Sequence, residues 1–184
     1  MSIRARRLAR EYQKLLSDLA GSEFVRIEVV SGDPPCSYRV TYDLTGLAWD
    51  DSSRDAVRAY EHIVDIYLPL GYPRKQPNCT MRTPIWHPNI GDYVCIGDYW
   101  SPGVTLVDII AHIGDMIQYK SYNLHSPVNR AAAEWAAAWI GSFPVGDRTI
   151  LPADVGEPPE SLPRAESPLD DISIDLGPVR DFRL

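Results

Sequence analysis

Apolar residues recur at helical spacing over residues 3–19, at Leu8, Tyr12, Leu15, Leu16 and Leu19, and Gly21 stands where such a helix would stop. The period then changes to two. Val25, Ile27 and Val29 share one side of residues 24–30, and Tyr38, Val40, Tyr42 and Leu44 oppose Arg39, Thr41 and Asp43 over 37–44. Tyr60, His62, Val64, Ile66 and Leu68 line one face of 58–68. The turn Gly32-Asp33-Pro34-Pro35 and a polar loop around Asp50–Asp55 separate these runs, and a short fourth run lies near Cys79–Arg82. Strands that are apolar on one side only describe an antiparallel meander. His62 falls on the apolar face, where a packed, hydrogen-bonded ring is expected rather than chemistry.

The helical period returns over 104–118. Leu106, Ile109, Ile110, Ile113, Met116 and Ile117 make a stripe for the core, with Thr105 or Ser101 as the cap. His112 lies off that stripe and is expected to be exposed. Lys120–Ser126 reads as a loop, and Pro127 opens a third helix, with Ala132, Trp135, Ala136 and Trp139 on its packing face. Two tryptophans one turn apart serve a core or an interface, and periodicity does not choose between them. Beyond Gly141 the periodicity stops, acids are frequent and seven of the 16 prolines follow, so 142–184 reads as a mostly disordered tail. Its one alternating apolar cluster, Ile172-Ser173-Ile174-Asp175-Leu176, has the form of a segment that adds to a partner's sheet edge, with an inert role favoured. The expected fold is α+β: an N-terminal helix, a four-stranded antiparallel meander and two C-terminal helices, in a domain spanning 1–141.

Composition narrows the function. The 184 residues suffice for one sizeable core, and the net charge of -7 argues against a nucleic-acid binder. No stretch is apolar enough to span a membrane, and no apolar signal segment follows the basic start, so a cytoplasmic protein is expected. The three cysteines, Cys36, Cys79 and Cys95, are odd in number and lack metal-ligand spacing, and the four histidines are scattered. Nothing calls for a metal or a cofactor.

The candidate chemistry sits in Pro84–Pro102. Pro88 holds His87 out of the helical region, and Gly91-Asp92 permits a turn before Cys95, which therefore lies on irregular backbone. A free cysteine is more often a small buried hydrophobe than a nucleophile. Here Asn89 stands near enough in the chain to donate a hydrogen bond to a developing oxyanion.

An ordered set of motifs runs through the chain: Tyr72-Pro73, Pro77, His87-Pro88-Asn89, Cys95, Trp100-Ser101-Pro102, then Asn123, Ser126-Pro127 and Asn129. This set resembles the active-site region of ubiquitin-conjugating enzymes, and the resemblance covers about residues 3–141. It implies that family's fold and a reaction in which Cys95 accepts a ubiquitin-like protein as a thioester from an activating enzyme and passes it to an amine of a protein substrate. The site residues it implies are Cys95, Asn89 as oxyanion donor or loop holder, Ser126 near the acceptor, and His87 as a structural residue. Asp98 is added, from its nearness in sequence, as an aid to deprotonating the amine, and His125 is a weaker alternative to Ser126. A structural role for Ser126, compatible with the first, is a cap on the third helix. Arg6, Arg7, Arg10 and Lys14 on the first helix would face the activating enzyme, although a solvated helix face explains them equally well. Ser101 and Pro102, with the Pro69–Pro77 loop, would face a ligase.

Three departures mark a divergent member, such as the prokaryotic relatives that work with their own activating enzyme. The intervals from His87 to Cys95 and from Cys95 to Trp100 are short, no last helix follows 141, and Arg74 stands where a bulky apolar residue is usual. The sequence does not decide whether a ligase is needed. The competing reading is a non-catalytic binding module for a ubiquitin-like protein, which normally lacks the cysteine. A cysteine hydrolase would need a base beside the thiol, and His87 is the only histidine close in sequence.

Overall fold

A computed structural model describes residues 2–151; the Ile172–Leu176 cluster and most of the expected tail lie outside the described residues. Helix α1 (Ile3–Leu19) is followed by strands β1 (Val25–Gly32), β2 (Pro35–Asp50), β3 (Asp55–Tyr67) and β4 (Asn78–Met81), then helices α2 (Leu106–Ile117) and α3 (Arg130–Ala138) and a single 3-10 turn at Ile140–Ser142. The sheet is antiparallel in the order β1-β2-β3-β4. This is the α+β arrangement that the apolar periodicity predicts.

The core forms where the periods meet. Tyr38, Val40, Tyr42, Val64 and Ile66 from the sheet are fully buried together with Ile109, Ile110, Ile113 and Ile117 of α2. The Tyr42 hydroxyl donates to the Ile110 carbonyl at 3.1 Å, so the large ring is buried without an orphan polar atom. Helix α2 is closed by Thr105 in a reciprocal capping box with Asp108.

Strands β2 and β3 are longer than the alternation suggests. The pairing steps from Asp43↔Glu61 to Gly46↔Ala59, so Leu44 and Thr45 together oppose Tyr60. Such a bulge shifts the phase of one strand. Leu47 is buried beyond it, out of step with Leu44. Tyr60, expected on the core face with His62, stands opposite the bulge and is 63% exposed. His62 itself is buried against Gly46, where an added Cβ would lie 2.7 Å from its Nε2. The hairpin turns at the predicted polar loop, where Asp50 accepts from the Ser52 and Ser53 backbone N–H groups.

Helix α1 contributes Leu8, Leu15 and Leu19 to the core, whereas Leu16 is largely exposed. The periodicity did not mark Glu11, which is only 1% exposed. Its carboxylate accepts from Arg7, from the Tyr72 hydroxyl and from the Leu106 N–H that starts α2. Arg7 also donates to the Val104 carbonyl, and Arg4 to those of Leu68 and Pro69. Two separate segments, Leu68–Tyr72 and Val104–Leu106, are thus tied to one helix face.

Past the 3-10 turn the chain lies along the body instead of leaving it at residue 141. The fully buried Gln118 explains why. Its side chain accepts from Arg148 N–H and donates to the Arg148 carbonyl, and its own carbonyl accepts from Val145 N–H. Ile150 then packs over Gly114.

Glu11→Ala would leave a half-buried guanidinium with the Val104 carbonyl as its remaining acceptor, and a buried hydroxyl and a helix-start N–H with none. Chemical denaturation should show a loss of about 2–4 kcal/mol. Glu11→Gln, which keeps one acceptor oxygen, should cost less.

Candidate functional site

After β4 the chain makes a compact hook over Pro84–Trp100. Trp86 N–H bonds the Leu47 carbonyl at 2.7 Å and Val94 N–H bonds that of Cys79 at 2.9 Å, which pins both arms of the hook to the sheet. Ile90, Val94 and Ile96 are buried. Cys95 stands between two of these anchors, so its side chain turns the other way and is half-buried. Its N–H donates to the Asn89 carbonyl at 2.9 Å. Tyr99 and Trp100 N–H groups both bond the Ile96 carbonyl and close a turn directly after the cysteine.

The carboxamide of Asn89 faces the loop between α2 and α3. Its Nδ2 donates to the carbonyls of Asn123 at 2.9 Å and Ser126 at 3.3 Å, and its Oδ1 accepts from Asn123 N–H at 2.7 Å. The Pro88 carbonyl accepts from both Val128 and Asn129 N–H. The hook that carries Cys95 and the 121–129 loop are therefore one hydrogen-bonded unit. Both ends of the Asn89 carboxamide are engaged with this loop. Asn123 extends the network, donating through Nδ2 to Asp98 at 3.2 Å and accepting from His125 N–H.

Between these segments lies a cavity of about 360 Å³ whose wall includes Cys95, Asp98, Tyr99, His112, Tyr122 and Ser126. Of the candidate residues, Cys95, Asn89, Asp98 and Ser126 are thus brought to one place. His87 is not in the wall. Its ring is fully buried, edge-on to Tyr119 at 4.7 Å, and its Nδ1 accepts the Asn89 N–H. Burial pushes its pKa down to about 3, so it stays neutral and braces the hook. A hydrolase with His87 as its base finds no support in this arrangement. His125 is exposed. Ser126 does not cap α3; that role belongs to Asn129, whose side chain accepts from Ala132 N–H.

Tyr99, His112 and Tyr122 join the wall without having been singled out for it, beside Asn123 of the ordered motif set. His112, expected to be exposed, is half-buried because the turn after Cys95 folds back across α2 and sets Tyr99 flat on its ring, with centroids 3.9 Å apart and planes 5° from parallel. Burial takes the His112 pKa down to about 4. No local period could announce this contact, since its two rings come from separate segments.

The basic residues of α1 divide. Arg6 and Arg10 point outward, while Arg7 is turned in toward Glu11 and Lys14 pairs with Asp18 at 2.6 Å. Ser101 and Pro102 are exposed, as is Arg74. Leu70, in the loop before Tyr72, is 83% exposed.

Residues 58–138 match the model of the family described as ubiquitin-conjugating enzyme. Ubiquitin-conjugating enzyme E2 27 of Arabidopsis thaliana is 38% identical over 56 residues, which cover 27% of this chain and 29% of that protein. A second Arabidopsis thaliana relative is 36% identical over 55 residues, covering 27% of this chain and 36% of its own length. The matched segments thus span about a third of the length of these curated relatives. A ubiquitin conjugating enzyme E2 domain from Toxoplasma gondii has the same fold, with a TM-score of 0.54 and 22% identity over 76% of this chain and 90% of the other.

Two outcomes follow from the site's geometry. Asn89→Ala removes three buried hydrogen bonds and should cost roughly 2–3 kcal/mol in denaturant melts, with faster amide exchange at Asn123 and Val128; a residue that served only an oxyanion would leave both unchanged. The second concerns pH. His62, His87 and His112 all have pKa values lowered by burial from the ordinary 6.5. The unfolded chain therefore binds more protons below pH 6.5, and this part of the stability is complete above 6.5 and lost as the pH falls. Unfolding near pH 5 should take up about two protons at His87 and His112 together, with a further fraction at His62, read from the slope of stability against pH.

Proposed function

We propose that this chain, whose residues 58–138 match the model of the ubiquitin-conjugating enzyme family, is a member of that family that carries a ubiquitin-like protein as a thioester on Cys95 and transfers it to an amine. The observation that supports this reading best is the half-buried Cys95 opening into a cavity whose far wall, the 121–129 loop, is hydrogen-bonded to the same hook. Nucleophile and acceptor wall keep a fixed relation, which is what a transfer between two large partners requires of a small scaffold.

In the loading step the Cys95 thiolate attacks the carbonyl carbon of a thioester on an activating enzyme. A new C–S bond forms, the old one breaks, and the activating enzyme's sulfur leaves as thiolate. In the discharge step an amine nitrogen attacks the Cys95 thioester. The C–N bond forms, the C–S bond breaks, Cys95 leaves as thiolate, and the nitrogen gives up its proton to solvent or to the Asp98 carboxylate. A thioester is reactive enough to need no strong base. In this reading Asn89 holds the wall, His87 braces the hook, and Ser126 and Asp98 border the incoming amine. Arg6 and Arg10 are free for an activating enzyme, whereas the inward turn of Arg7 makes it part of the scaffold. Ser101, Pro102 and Leu70 present the surface for a ligase, with Arg74 on the same loop.

The test mixes the full chain with a charged activating enzyme, its ubiquitin-like protein and ATP, and compares gels run with and without reductant. A reductant-sensitive adduct is expected. It should vanish in Cys95→Ala and become reductant-resistant, as an oxyester, in Cys95→Ser. A charged activating enzyme that gives no adduct removes Cys95 as its acceptor and favours a binding module for the ubiquitin-like protein.

A further inference from the structure

Tyr99 and His112 have no part in the steps above, yet both border the cavity that holds Cys95. Their rings lie face to face, so one face of Tyr99 is taken up by His112. Tyr99 nevertheless remains 40% exposed, which leaves its other face open beside the cavity. The surroundings are acidic. Asp98 lines the cavity, the charges of Asp108 and Asp115 reach the Tyr99 hydroxyl, and among the described residues no lysine or arginine belongs to the wall. Lys120 offsets Asp115 only at 3.8 Å. An open aromatic face in a negative field attracts a cation, and gives an uncharged nucleophile little.

We propose that the Tyr99–His112 stack is the acceptor platform of this site: the alkyl stem and ammonium group of a lysine-type amine lie over the free face of Tyr99, beside Asp98, and His112 is the positioning residue that holds the ring flat. The platform rests on the reading of Cys95 as a thioester carrier and adds to it the means by which a cationic acceptor is held before it loses its proton and attacks. Because burial keeps the His112 imidazole neutral, it supports the ring without repelling the ammonium. The short interval from Cys95 to Trp100 gives the arrangement its cause, since the turn closed on the Ile96 carbonyl is what carries Tyr99 back over α2.

The test needs no activating enzyme. The full-length chain is loaded at Cys95 by exchange with a glycine-terminated peptide thioester and followed by intact mass. The loaded fraction is then discharged either with Nα-acetyl-L-lysine or with hydroxylamine, which is uncharged near neutral pH. Tyr99→Leu should raise the acetyl-lysine concentration for half-maximal discharge about threefold to fivefold, with a much smaller change for hydroxylamine. His112→Ala should move the lysine-to-hydroxylamine ratio the same way, and His112→Phe, which restores a flat partner, should bring it back. Parallel slowing of both nucleophiles, no change in either, or a His112→Phe that behaves like His112→Ala would each overturn the platform while leaving the thioester reading intact. Failure of the unmodified chain to load would overturn both.

Discussion

The three hydrogen bonds of the Asn89 carboxamide join two segments that no sheet ladder connects. The hook that carries Cys95 has little regular structure, and the 121–129 loop has none. Each contains backbone groups that burial would otherwise leave unpaired. Asn89 pairs three of them, and Pro88 adds two more through its carbonyl. Since both segments also line the cavity, the same bonds that hold the fold together there define the distance across the site. Structure and proposed chemistry therefore depend on one side chain.

The same device recurs elsewhere. Glu11 ties α1 to the Tyr72 loop and to the start of α2, and Gln118 ties the end of α2 to the Val145–Arg148 stretch. Each is a long polar side chain, almost wholly buried, placed where consecutive elements part company. Each reaches main-chain groups that have no partner of their own. A buried polar group in such a place is costly unless its partners are all present, so these joints hold in one geometry.

The open elements are of a different kind. Tyr99, Leu70, Arg6 and Arg10 are exposed on the described part of the chain, and none of them carries the core. They are among the side chains open to solvent. The interior contributes rigidity to them, most directly where His112 supports Tyr99. Arg7 illustrates the opposite case: a basic residue in the same run as Arg6 and Arg10, committed to the inside by the Glu11 carboxylate.

By itself the sequence determined the order and type of the elements, because one apolar face per strand and one stripe per helix leave a period in the chain. It also determined the neighbourhood of the candidate site, since Asn89, Cys95 and Ser126 of the ordered motif set meet around one cavity, with His87 behind it. Four matters were left to tertiary structure. The bulge at Leu44–Thr45 shifted the phase of β2 so that Leu47 is buried out of step with Leu44, which alternation alone does not register. Glu11 and Gln118 are buried although polar, because their partners lie 61 and 30 residues away in the chain. Asn129, not Ser126, caps α3, since the Pro88 carbonyl holds the backbone before it. His112, off the stripe of its helix, became part of the site only when the turn after Cys95 laid Tyr99 across it. Periodicity records which way a side chain points from its own element; what comes to cover it from another segment is decided by the packing of the whole chain.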